Sequence, residues 1–209
     1  MPPQTATLAA TAKGPPVFRF DPIAHRYFLD EVELPGVSDI LETAGLKHGW
    51  RGHQEAQLRG QHVHRCCELL DQGDLDWDSV HPEFRGYVEA WQRFTDEYGV
   101  ESSLIEYRSY HPQLRFGGTL DRRAVVGRWN ATAILDLKTG VEEYWHRWQT
   151  AGYGTLGGAA WVRDCRAAVY VHEDGTYAVE KYHDTADIRV FLAALTITHA
   201  KRSLADGRH

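Results

Sequence analysis

At 209 residues the chain has room for one well-buried domain and too little for two of ordinary size. Its 43% hydrophobic, 11% aromatic and 25% charged residues exclude disordered, collagen-like and coiled-coil classes, and a net charge of −6 excludes a uniformly basic nucleic-acid coat while leaving room for a local basic groove. Three cysteines, two of them the adjacent Cys66 and Cys67, suit neither a disulfide framework nor an iron–sulfur cluster, and no apolar run approaches the roughly 18–20 residues that span a bilayer, so a soluble, cytoplasmic protein is expected.

Residues 1–16, rich in Ala, Thr and Pro, predict a flexible tail ahead of a single domain over 17–209. Residues 17–20 and 26–29 flank the turn signal Asp21-Pro22 and predict a β-hairpin. Ser38 is placed to cap a short helix over 39–43. A helix is expected over 53–71, where Val63, Cys66, Cys67, Leu69 and Leu70 form a loose apolar stripe that Gly73 ends. A second runs over 82–98, with Phe84, Val88, Trp91, Phe94 and Tyr98 at helical spacing, and reads as purely structural. The period then changes: residues 103–111, 117–126 and 130–138 are strand-like and predict an antiparallel meander. A helix over 143–162, a hairpin of 166–172 and 177–182 around Asp174-Gly175, and a terminal helix over 185–204 complete the order. That order predicts an α/β fold with a central sheet covered by helices.

The sharpest chemical pattern is Gly117-Gly-Thr-Leu-Asp121 followed by Ile134-Leu-Asp136-Leu-Lys138-Thr-Gly140. On a strand Asp136 and Lys138 project together while Leu135 and Leu137 face the core. If Asp121 closes the preceding strand and a short turn at Gly127 pairs the two, its carboxylate comes near that of Asp136. Two carboxylates beside one ammonium suit a hard divalent cation and the hydrolysis of a phosphodiester. An Asp-x-Lys triplet alone is expected about once by chance in a chain of this size, and its bland reading is a surface ion pair.

Gly60, His64 and Glu68 lie at successive i, i+4 positions and share one helix face, which makes His64 a candidate metal ligand; a single helix cannot turn His62, His64, Cys66 and Cys67 inward together as a zinc cluster. Gln149 and Tyr153 likewise share a face; Trp145 and Trp148 read as core and Gln149 as functional. Glu106 is an acid in mid-strand, to be paired or metal-linked if it is buried, which alternation does not decide.

Taken in order, Gly60-x-x-x-His64-x-x-x-Glu68, Glu106, Gly118-Thr-Leu-Asp121, Asp136-Leu-Lys138-Thr139-Gly140 and Gln149-x-x-x-Tyr153 resemble the RecB-like, phage-type exonuclease branch of the PD-(D/E)XK nucleases, which includes mitochondrial genome maintenance exonucleases. With the lead-in from Tyr27 to Leu41, the similarity spans roughly residues 17 to 182. It implies a restriction-endonuclease-like αβββαβ core, a central mixed β-sheet flanked by helices, here with an N-terminal β-hairpin. It also implies a divalent metal, Mg2+ or Mn2+, on His64, Asp121, Asp136 and the Leu137 carbonyl. Lys138 would assist the attacking water, completing with Asp121, Asp136 and Gln149 the catalytic set. Tyr153, Glu68, Glu106 and Gly60 would support the site or the nucleic acid. Arg122-Arg123, which follow Asp121 here, depart from the family pattern and are expected to contact the phosphate backbone or to cap a strand. The implied substrate is single- or double-stranded DNA, cut from an end in recombination, repair or phage DNA processing. A homo-oligomer or a recombination partner protein is compatible with every motif. The four-cysteine staple and the Gly-x-x-x-x-Gly-Lys-Ser/Thr loop of some relatives do not occur, so neither an iron–sulfur cluster nor a nucleotide cofactor is expected. A catalytically inactive DNA-binding or adaptor module and an RNA nuclease are the rival expectations.

Overall fold

The changes of hydrophobic period along the chain become two sheets and five α-helices in a computed structural model that describes residues 15–47 and 54–207. Residues 1–14 of the expected tail and His53 at the start of the expected first long helix lie outside the described residues.

Three short strands, β1 (Phe18–Asp21), β2 (Arg26–Leu29) and β3 (Val32–Leu34), pair antiparallel in that order, so the expected hairpin gains a third strand. Asp30, at φ 54, supplies the left-handed residue that a tight turn into β3 requires. Helix α1 (Val37–Thr43) starts before the expected position because Gly36, not Ser38, is the capping residue: the Gly36 amide donates to Asp39 Oδ2 at 3.1 Å. Ser38 is thereby left inside the first turn.

The long helices α2 (Gln54–Gln72) and α3 (Pro82–Tyr98) follow. In α3 the His81 ring accepts the Glu83 amide at one end, and Gly99, at φ 61, terminates the other. The five-stranded sheet comprises β4 (Val100–His111), β5 (Phe116–Val126), β6 (Ala131–Lys138), β7 (Cys165–Val171) and β8 (Tyr177–Tyr182), in that spatial order. All neighbours are antiparallel except β6 and β7, which helix α4 (His146–Leu156) joins by a crossover. Helix α4 is much shorter than the stretch 143–162 expected. Gly158 takes φ 59, and a Cβ at Gly157 would fall 1.9 Å from the Trp161 ring, so the chain leaves the helix there and folds Trp161 back over it. Helix α5 (Ala186–Ala205) closes the fold.

Each face of the large sheet carries one apolar layer. Val63 and Cys67 of α2 and Val88, Trp91 and Phe94 of α3 pack on Leu135, Leu137 and Val169. On the other face Ile40 and Leu41 of α1, Ala151 of α4 and Phe191 of α5 pack on Phe116, Leu120 and Ile134. Strict alternation would keep Leu120, Arg122 and Ala124 on one face. Instead Leu120 lies in the α4–α5 layer, while Ala124 lies in the α2–α3 layer and Arg122 reaches Asp71 of α2. The switch falls at Asp121. Opposite it in the ladder, between the Ile105–Arg122 and Tyr107–Leu120 pairs, Glu106 has a left-handed φ of 45. Such a conformation in a non-glycine residue costs about 1–3 kcal/mol and persists where its surroundings impose it. Among the described residues no helix is long and apolar enough to cross a membrane.

Candidate functional site

The break in strand parity opens one end of the β5–β6 pair, where the registered ladder stops at Arg122–Leu135. One step beyond, the Leu137 amide donates to Asp121 Oδ2 at 2.7 Å instead of to a strand partner. The β6 alternation places Leu135 and Leu137 in the core and Asp136 and Lys138 on the opposite face. Lys138 Nζ lies 2.6 Å from Asp136 Oδ2 and donates to Gln149 Oε1 at 2.9 Å. The Gln149 amide nitrogen donates to the Tyr153 hydroxyl at 3.0 Å and to Ser38 Oγ at 3.3 Å, so α4 and α1 together fix the acceptor that faces Lys138.

Helix α2 brings in His64. Burial of Val63 and Cys67 anchors the helix against the sheet and turns Gly60, His64 and Glu68 toward a cleft of about 480 Å³. The cleft is also bounded by the start of α1, by His25 and Tyr27, and by β4 and β5. His64 Nε2 lies 3.1 Å from the Leu137 carbonyl. With Nε2–H donating there, Nδ1 faces Glu106 Oε1 at 3.5 Å and Asp121 Oδ1 at 3.7 Å. This is how a ligating histidine is commonly oriented, one ring nitrogen fixed by a carbonyl and the other aimed at the site.

Burial pushes the Asp136 carboxyl up to about 6, and Asp121 adds to that shift against the opposing pull of the Lys138 ammonium. Burial works to lower the His64 pKa, yet Asp121 and then Glu106 outweigh it and raise the value. Burial also raises Tyr153 well above the ordinary phenol range, which keeps the hydroxyl neutral as the partner of Gln149.

Among the described residues, His64, Glu106 and Asp121 each offer a ligand atom within 4.8 Å of the others. One imidazole nitrogen with carboxylate oxygens is a donor set that Mg2+ or Mn2+ accepts, the nitrogen suiting Mn2+ better. Asp136 lies beside the group rather than in it. Its Oδ2 is a buried oxygen which, apart from the Lys138 ion pair, has no hydrogen-bond partner among the described residues, leaving it able to accept a further cation contact. The residues present therefore fit a divalent metal, with Glu106 standing closer to the candidate position than the expected ligand set allowed. The Leu137 carbonyl is engaged in orienting His64.

The other expected positions fall as follows. At Gly60 a Cβ would come no nearer than 3.5 Å to Thr139 Oγ1, so this position lines the cleft beside the Lys138 strand end. Glu68 pairs with Arg65 at 2.6 Å on the same cleft wall. Tyr153 is buried and acts on the site through Gln149. Trp145 and Trp148 pack at the edge of the α4–α5 layer. Asp121 sits in the middle of β5 rather than at its end. Arg122 is corrected in one respect: at 0% exposure it offers no surface to a phosphate backbone. Its guanidinium is taken up by Asp71 and Glu106, and Arg123 is paired with Asp164 at 2.8 Å. Ser38 was expected only as a helix cap and Trp91 only as core, and Asp71 was not singled out, so their links to the site escaped the sequence reading. Asp71 follows His64 by seven residues, two helical turns on the same side of α2, which is the signal that could have found it.

No family model matches this chain, and no curated protein does. Among solved structures the chain is similar to an alkaline exonuclease, LHK-Exo, from Laribacter hongkongensis, at a TM-score of 0.40 and 17% identity over 83% of this chain and 94% of that one. The same exonuclease in complex with dAMP gives a TM-score of 0.32 at 17% identity, with the same coverage of 83% and 94%. Likenesses this distant assign neither an activity nor a residue role.

Proposed function

We propose that residues 17–209 form one divalent-metal-dependent nuclease domain of the PD-(D/E)XK type, an exonuclease that hydrolyses DNA phosphodiesters. One observation carries this reading: His64, Glu106 and Asp121 gather within 4.8 Å of one another beside the Asp136–Lys138 ion pair, all lining one cleft. The ordered motifs that resemble this superfamily converge on that same spot.

In this reading His64, Asp121 and Glu106, with Asp136 alongside, hold Mg2+ or Mn2+. When bound, the cation supplies Lewis-acid chemistry, polarising a phosphoryl oxygen and acidifying water. The chain's own contribution is positional and electrostatic. Lys138, steadied between Asp136 and Gln149, presents an ammonium whose place is set before substrate arrives, so it can orient the attacking water and stabilise charge developing on the phosphoryl oxygens. Asp136, held against Lys138, keeps that ammonium in place beside the cation position. Tyr153 and Ser38 keep the Gln149 amide from rotating.

The test is a time course of the purified protein with Mg2+ or Mn2+ on end-labelled linear DNA, closed circular DNA, single strands and RNA. Metal-dependent loss of linear DNA with circular DNA spared is expected. Asp136→Asn and Lys138→Ala should each lower turnover about 100-fold or more with an unchanged circular-dichroism spectrum. DNA left intact with both metals, while a control nuclease cuts in the same buffer, refutes the proposal. Preferential cutting of RNA, or DNA binding without cutting, identifies the rival activities.

A further inference from the structure

Behind Glu106 lies a group of side chains that the chemistry above does not touch. Arg122 is wholly buried. Its Nε donates to Asp71 Oδ2, and its Nη1 donates to Glu106 Oε1 at 3.2 Å and to the Asp121 carbonyl at 2.8 Å. Its guanidinium carbon lies 5.3 Å from the centre of the Trp91 ring. Trp91 in turn donates its indole N–H to Asp71 Oδ1 at 2.9 Å, so both Asp71 oxygens are occupied. Nη2 of Arg122 is buried with no hydrogen-bond partner among the described residues. As mere core filling this is a poor arrangement, because a buried ion pair is often no better for stability than apolar side chains of similar volume. Its geometry is specific to the site: the guanidinium clamps the backbone of Asp121 and the carboxylate of Glu106 at the two positions where the β4–β5 ladder changes parity.

We propose that Asp71, Arg122 and Trp91 are positioning residues of the metal site, acting through Glu106. Asp71 and Trp91 fix the Arg122 fork, and Arg122 holds Glu106 toward His64 and Asp121 against the strained backbone beneath it. The inference rests on the metal reading above.

The test is calorimetric titration of the full chain with Mn2+ in the absence of DNA. Asp71→Asn should weaken Mn2+ binding about 10- to 100-fold, the range seen when an outer partner of a metal ligand is removed. Because the effect runs through Glu106, the double variant Asp71→Asn with Glu106→Gln should bind no more weakly than Glu106→Gln alone. Trp91→Phe keeps an aromatic ring but loses the indole donor, and should weaken binding in the same direction by less; it carries the comparison if circular dichroism shows Asp71→Asn unfolded. Unchanged affinity in the folded variants, or independent losses in the double variant, overturns the inference while leaving the metal site standing. A wild type that binds no Mn2+ overturns both.

Discussion

His146 opens α4, the helix that carries Gln149 and Tyr153, and its ionisation offers a direct test of how that helix is seated. The ring is 4% exposed. Its Nδ1 accepts from the Tyr170 hydroxyl at 2.7 Å and from the Glu143 amide at 3.3 Å, so the proton sits on Nε2 and the ring is neutral. Burial above all, and then the Lys138 and Lys47 cations, push its pKa from 6.5 down to about 3. An unfolded chain therefore takes up a proton near 6.5 that the folded chain refuses until about 3. Stability from this group is fully present above 6.5 and is lost as pH falls toward 3. At about 1.4 kcal/mol per unit, the loss is about 2 kcal/mol at roughly pH 5 and about 3 kcal/mol at roughly pH 4. His146→Gln cannot titrate. It should be less stable than the wild type at roughly pH 7.5, by about 1–3 kcal/mol for the bonds it leaves unmade. That deficit should shrink by about 2 kcal/mol at roughly pH 5. Urea unfolding followed by circular dichroism at the two pH values measures both quantities. A deficit that does not change with pH refutes the buried neutral histidine.

Other perturbations follow from the packing. Phe191 is fully buried with its ring centre 5.3 Å from that of Phe116, so Phe191→Ala should cost about 3–5 kcal/mol in denaturant unfolding and loosen α4 from α5. At Gly117 a Cβ would fall 2.7 Å from Tyr27 Cβ and Cγ, so Gly117→Ala should cost about 1–3 kcal/mol, read as a lowered melting temperature. Gln149→Ala removes the neutral acceptor of Lys138 and leaves Tyr153 and Ser38 without their partner, so turnover on linear DNA should fall about 10-fold or more and stability by about 1–3 kcal/mol, read as a lowered melting temperature.

Where side-chain period and element agree, the sequence was legible. The apolar positions 84, 88, 91, 94 and 98 specified α3 because a 3.6-residue period has one buried face, and His81, Pro82 and Gly99 mark its ends. Strand β8 has the expected bounds because its Asp174-Gly175 turn is local chemistry. The candidate site was partly legible for the same reason: Asp136 and Lys138 had to share a face of β6, and His64 had to share one with Gly60 and Glu68. Helix α4 was overestimated because its stop is Trp161 folding back over Gly157, a contact that residue spacing does not encode.

The residue order by itself determined the succession of helices and strands, the antiparallel meander, and the pairing of an acid with an amine on β6, since each depends on neighbours two to four positions away. Tertiary structure alone decided that Glu106 joins His64 and Asp121, and that Arg122 is buried on Asp71 and Trp91. The physical reason is local: where the left-handed Glu106 stands opposite Asp121 the side of the sheet that successive residues face is reversed, and alternation, the rule by which strands are read, holds only up to such a break.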